Sequence, residues 1–161
     1  MRWLILLVLL SVCISVPLAA QTASVVDGDT LRIDGTTYRL HGVDAPEKAQ
    51  VCRRGGVDWL CGQEAAAWLR RLVADRPVRC REKDRDRYGR IVAVCWAGGL
   101  ELNREIVRAG LAWAYRRYGR DYEDAEQEAR RGRRGLWAAE EAQPAWEWRA
   151  QKRRNGAAIR G

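Results

Sequence analysis

From Ser24 to Val43 apolar and polar side chains alternate, the period of strands with one buried face. Ser24-Val25-Val26 runs to a turn at Asp27-Gly28, Thr30 to Ile33 follow, and Asp34-Gly35 is a hairpin signal ahead of Thr36 to Val43. A two-residue turn there places Leu31, Ile33, Tyr38 and Leu40 on one face and Thr30, Arg32, Arg39 and His41 on the other. The first face is core and the second is wet.

The period then changes. After a loop holding Arg53, Arg54, Gly55 and Gly56, the stretch from Gln63 to Asp75 repeats Ala65, Leu69, Leu72 and Val73 at helical spacing, and Pro77 ends it. Val78 to Lys83 and Ile91 to Trp96 read as a second hairpin across a charged connection, Asp84 to Arg90. Glu101 to Ala109 predicts a helix capped by Gly110, Leu111 to Tyr115 a short returning strand, and Asp121 to Arg131 a third, highly charged helix. Beyond Pro144 the residues Trp146, Trp148, Lys152, Arg153 and Arg154 show no clear period, so this tail is docked by its tryptophans or else mobile. Five strand-like segments interleaved with a helix suit an α+β fold, mainly β: a five-stranded OB-fold Greek-key barrel with about three helices.

The ends and the cysteines add a compartment. Residues 1–20 carry Arg2, an apolar run from Trp3 to Leu18 broken by Ser11 and Ser15, and a small-residue exit at Ala19-Ala20, the form of a secretory signal peptide. Retention would make it a membrane anchor instead. The chain therefore divides into a signal at 1–20, a folded domain at 21–143 and a basic, tryptophan-containing tail at 144–161. Cys13 leaves with the signal. The four that remain suit two disulfides in an oxidising, periplasmic or secreted setting. A regular hairpin centred on Arg87-Tyr88 sets Cys80 opposite Cys95, which leaves Cys52 to pair with Cys61.

Charge narrows the partner. The 161 residues hold 29 Lys and Arg against 21 Asp and Glu, a net of +8; removing the signal costs only Arg2. The excess of positive charge belongs to the folded part and suits a polyanion. His41 is the only histidine, which argues against paired-imidazole phosphodiester cleavage and against metal sites built on several histidines. Any chemistry falls to carboxylates and arginines.

Three clusters carry those groups: Asp27-Gly28-Asp29-Thr30; Arg39 with Val43-Asp44-Ala45-Pro46-Glu47; and Asp86-Arg87-Tyr88-Gly89-Arg90. In this order they resemble the staphylococcal nuclease (thermonuclease) family, with Val107 to Trp113 and Gly135-Leu136-Trp137 extending the likeness from about Ser24 to Trp137. The resemblance implies a calcium-dependent phosphodiesterase acting on DNA and RNA with little sugar specificity and leaving phosphate on the 3′ side. It implies that Asp29 and Asp44 bind the metal with the Ala45 carbonyl, and that Glu47, Arg39 and Arg90 are the catalytic acid residue and the two arginines. Ala45 stands where threonine is usual, which a backbone ligand tolerates. The loop closed by Cys52 and Cys61 departs from the lysine-rich loop of the best-known member.

The residue types make sense without the analogy. A phosphodiester is a charged, sluggish electrophile, so its oxygens must be neutralised and a water aimed in line with the leaving oxygen. Calcium takes hard oxygen ligands and keeps waters, and the guanidinium fork matches phosphate. Tyr88, Tyr115 and Tyr118 are candidates for stacking on bases of a single strand, with packing as their plainer role. The competing class is a non-catalytic nucleic-acid-binding barrel, against which the full set of Asp29, Arg39, Asp44, Glu47 and Arg90 argues. No stable protein partner is implied. Strict ladder parity would not bring Asp29, Arg39 and Asp44 together, so an irregularity is expected between His41 and Pro46.

Overall fold

The computed structural model describes residues 23–158, so the signal expected at 1–20 lies outside the described residues. Strands β1 (Ala23–Asp27), β2 (Thr30–Ile33) and β3 (Thr36–Leu40) form an antiparallel meander. Thr30 pairs with Arg39 and Ile33 with Thr36 around a two-residue turn at Asp34-Gly35, the register the alternation predicts. Leu31, Ile33 and Leu40 are buried as expected. The opposite face is not simply wet: Thr30 is buried and Arg39 half-buried, because that end of the face packs its polar groups against Asp29 and Asp44.

After β4 (Val43–Asp44), β5 (Cys52–Arg54) and β6 (Val57–Trp59) come α1 (Cys61–Val73), then β7 (Val78–Arg85) and β8 (Ile91–Ala97). The curled sheet runs β1-β2-β3-β8-β7, with β3 and β8 parallel and the short β9 (Leu100–Glu101) on β8. Helices α2 (Leu102–Arg108), α3 (Glu123–Arg131) and α4 (Ala145–Ala158) complete the fold, with β10 (Trp113–Ala114) paired to β4. This is the mixed α+β barrel predicted from the pattern. Ala65, Leu69 and Val73 turn the buried face of α1 to the same core as Leu31, Leu40, Ile106 and Leu136.

Three local expectations are corrected. Residues 53–56 are not plain loop: Arg53 and Arg54 belong to the small β5–β6 hairpin, whose Arg53 also bridges to Glu141. The tail takes the docked alternative, and its lack of period hid a helix: it forms α4, held by Trp146 against Trp113 and Tyr115 at centroid distances of 6.0 and 5.7 Å, the fourth α-helix among the described residues. The β7–β8 turn is longer than a two-residue one, running from Asp86 to Arg90. A bulge between Glu82 and Asp84 absorbs the difference, and Cys80 still faces Cys95.

Disulfides join Cys80 to Cys95 across that ladder and Cys52 to Cys61 at the start of α1. A side chain with no helical periodicity of its own holds the sheet's corner. Buried Asn103 donates to the carbonyls of His41 and Ala93 at 3.0 and 3.1 Å and accepts from the Cys95 N–H at 2.9 Å. It thereby stitches the exit of β3 to β8 where the chain bends toward Asp44. Asn103→Ala removes all three bonds, though the Ala93 carbonyl keeps the His41 N–H at 2.8 Å, and should lower the unfolding free energy by about 2 kcal/mol in chemical denaturation; a loss below about 0.5 kcal/mol would show that the corner holds without it.

Candidate active site

The anticipated break in the ladder is present and it assembles the site. β3 ends at Leu40, His41 and Gly42 turn, and Gly42 takes φ +68°, where a Cβ would also come within 2.9 Å of the Tyr122 ring. Val43 and Asp44 then pair with β10 instead of continuing β3. Asp29 lies in the tight β1–β2 turn, outside ladder pairing, so parity does not fix where its carboxylate points. Thus both aspartates come to Arg39, the last but one residue of β3.

Arg39 is the bridge. Its Nη1 donates to Asp29 at 3.0 Å (Oδ1) and lies 2.9 Å from Oδ2, and its Nη2 reaches Asp44 Oδ1 at 2.6 Å. Asp29 also accepts from the Thr30 hydroxyl at 2.9 Å and from the Ala45 N–H at 3.3 Å. Asp44 is wholly buried and Asp29 nearly so. Burial and the neighbouring Asp29 push the Asp44 carboxyl above its usual range, more than Arg149 and Arg39 pull it down. Burial and Asp29 likewise raise Asp27 to about 6. For Arg39 burial opposes the charge, but Asp29 and Asp44 outweigh it and hold the guanidinium more firmly protonated. This is a knot of acids short of positive charge.

Glu47 follows on the loop after Pro46. Its backbone is clamped by α1: a Cβ at Gly62 would fall 1.8 Å from the Glu47 carbonyl oxygen, so only glycine permits this approach. Buried Gln50 accepts from the Glu47 N–H at 3.3 Å and donates to the Gln143 carbonyl, fixing the loop to the chain that leads into α4.

Arg90 stands across the cleft, at the end of the β7–β8 turn. Asp86 holds it, accepting from Arg90 Nε at 2.7 Å while also accepting backbone N–H groups of Tyr88 and Arg90. Burial works against the Asp86 charge, but these donors win and hold its carboxyl below the usual range. Asp86 therefore shapes the turn and orients Arg90. A cleft of about 670 Å³ is lined by Arg39, Glu47, Arg90 and the three tyrosines Tyr88, Tyr115 and Tyr118. Tyr115 and Tyr118 pack on each other at 5.5 Å, while Tyr88 projects from the turn and is largely exposed.

One arginine in the cleft escaped the sequence reading. Arg149 of α4 donates to Glu47 Oε1 at 2.7 Å and to both Asp44 oxygens at 3.1 and 2.9 Å. Its signal was the helical spacing of Trp146, Arg149 and Arg153, hidden because α4 lacks an apolar stripe. Gln50 and Asn103 had no signal, since a buried amide is recognised only by its partners.

The family model for "Staphylococcal nuclease homologue" matches residues 37–139. The chain belongs to the staphylococcal nuclease family. It is 36% identical over 139 residues to an uncharacterized endonuclease of Escherichia coli, covering 82% of this chain and 85% of the relative. It is 35% identical over 146 residues to a micrococcal nuclease of Shigella flexneri, at 80% and 79% coverage. A succinoglycan biosynthesis protein, ExoI, of Rhizobium meliloti is 42% identical over 133 residues, which are 77% of this chain and 66% of that one. By this membership the chain is a nuclease, a hydrolase of phosphodiester bonds.

The acid knot of this nuclease fits a hard divalent ion. Among the described residues no three His, Cys, Asp or Glu side chains form a ready-made cage, so an ion would rest on the two aspartates together with backbone and water oxygens. The charge shortage around buried Asp44 is what such an ion would relieve. Freed from Asp86, Arg90 loses its orientation: Asp86→Ala should lower kcat/KM by about 10- to 100-fold while divalent-ion binding, measured by calorimetry, stays unchanged. A coupled loss of ion affinity would instead place Asp86 among the metal ligands.

Proposed function

We propose that the protein is a calcium-dependent nuclease that hydrolyses DNA and RNA with little sugar specificity, prefers single strands, and leaves 3′-phosphates. The pairing of buried Asp29 and Asp44 with Arg39, which lines one cleft with Glu47 and Arg90, carries this reading. Asp29, Asp44 and the Ala45 carbonyl would hold the ion, whose bound form supplies charge neutralisation at the phosphoryl oxygens. Arg39 and Arg90 grip the non-bridging and leaving oxygens through bidentate, always protonated forks. Glu47 takes the proton of the attacking water as its oxygen bonds to phosphorus. The bond to the 5′ oxygen breaks, that oxygen picks up a proton, and the phosphate stays with the 3′ side. Tyr88, Tyr115 and Tyr118 offer faces for unstacked bases, which favours single strands.

The setting follows from the same features. Two disulfides suit an oxidising compartment, so the mature enzyme is periplasmic or secreted, and membrane-attached only if the apolar leader is retained. Among the described residues no helix is long and apolar enough to cross a membrane. The nuclease domain takes residues 21–143 and the basic tail starts at 144.

Digestion of single-stranded DNA with calcium, against the same reaction with chelator, tests the proposal. Cleavage should require calcium; its absence in both arms would favour a binding module. Glu47→Gln should keep the fold and calcium affinity yet slow turnover by at least about 10²-fold, and wild-type rates from this variant would remove Glu47 from the chemistry.

A further inference from the structure

The tail beyond Pro144 lies outside the segment that the family model matches, yet it enters the catalytic cleft. Its helix starts on buried Ala145 and on Trp146 seated against Trp113 and Tyr115. One turn later Arg149 spans Asp44 and Glu47, and Arg153, four residues on, lines the same cleft. The Arg149 side chain is 30% exposed where that of Asp44 is 0% exposed, so its guanidinium separates the acid knot from solvent. That side opens onto the cleft that Arg90 and the tyrosines line.

Charge decides what such a group can do. Asp27, Asp29, Asp44 and Glu47 bring four carboxylates, Arg39 and Arg149 bring two positive charges, and Arg90 is matched by Asp86. With a divalent cation on the aspartates the cleft is neutral with the Arg149 guanidinium in it and carries one net negative charge without it. A phosphodiester is itself negative, so without Arg149 the loaded cleft would repel its substrate. Along α4, Arg149 and Arg153 are about 6 Å apart in rise, a step that neighbouring phosphates of a flexible strand can follow.

We propose that Arg149 is a third substrate arginine, held on Asp44 and Glu47 until nucleic acid enters and then turning to a backbone phosphate beside the scissile one, with Arg153 taking the next. This rests on the nuclease reading and extends its substrate site onto α4. Arg149 acts as a substrate ligand and takes no part in breaking the bond.

The test uses the full mature chain and the variants Arg149→Ala, Arg149→Lys and Arg153→Ala. A fluorescent single-stranded oligonucleotide is bound in chelator over a salt series, calcium binding is followed by calorimetry without nucleic acid, and steady-state cleavage is measured with calcium. Arg149→Ala should weaken oligonucleotide binding at least 10-fold, reduce the salt slope by about one, and raise KM more than it lowers kcat. Arg149→Lys should recover part of the affinity, Arg153→Ala should give a smaller loss of the same kind, and calcium affinity should hold or rise. Faster cleavage by Arg149→Ala with an unchanged salt slope would overturn the proposal in favour of an inhibitory plug. A lower melting temperature with unchanged slope and KM would overturn it in favour of a purely structural contact. If wild type cleaves nothing in calcium, the nuclease reading fails, whereas normal wild-type cleavage with an indifferent Arg149→Ala fails this inference alone.

Discussion

The bridge that Arg39 makes between Asp29 and Asp44 is the contact on which the site depends. Two buried carboxylates side by side repel each other, and neither has water enough to stay charged cheaply. One guanidinium, placed between them at 2.6 to 3.0 Å, makes the pair tolerable. Arg39 thus holds the two acids together, and in the proposed reaction the same side chain serves the phosphate.

The barrel's irregularities exist around that contact. A continuous β3 would send Asp44 along the ladder and away from Asp29, and the turn at His41-Gly42 with the switch of partner to β10 prevents this. Asn103 secures the bend from beneath, and Gly62 lets the Glu47 loop settle on α1. Asp86 does for Arg90 what the aspartates do for Arg39: it holds a cation in readiness at modest cost, since the pair is partly exposed. Loops and strand ends carry the candidate groups, and the sheet fixes their separation.

Much of this was legible in the chain. Alternation gave the meander and its Thr30–Arg39 register, and the helical repeat of Ala65, Leu69 and Val73 gave α1, because each pattern reports burial of one face. The Cys80–Cys95 pairing emerged from a regular hairpin, although a longer turn and a compensating bulge in fact produce it. The short β5–β6 hairpin and α4 were not legible. Both are held by contacts distant in sequence, Arg53 with Glu141 and Trp146 with Trp113, which no local period records.

By itself the sequence determined the barrel and the two disulfide partners, since burial period is a local property, and its three motifs singled out the acids and arginines through their likeness to the family. Only the tertiary structure decided that Asp29, Arg39 and Asp44 form one ion-paired knot and that Arg149 joins it. Electrostatic attraction acts over a few ångströms of space, regardless of the 105 residues that separate Arg149 from Asp44 along the chain.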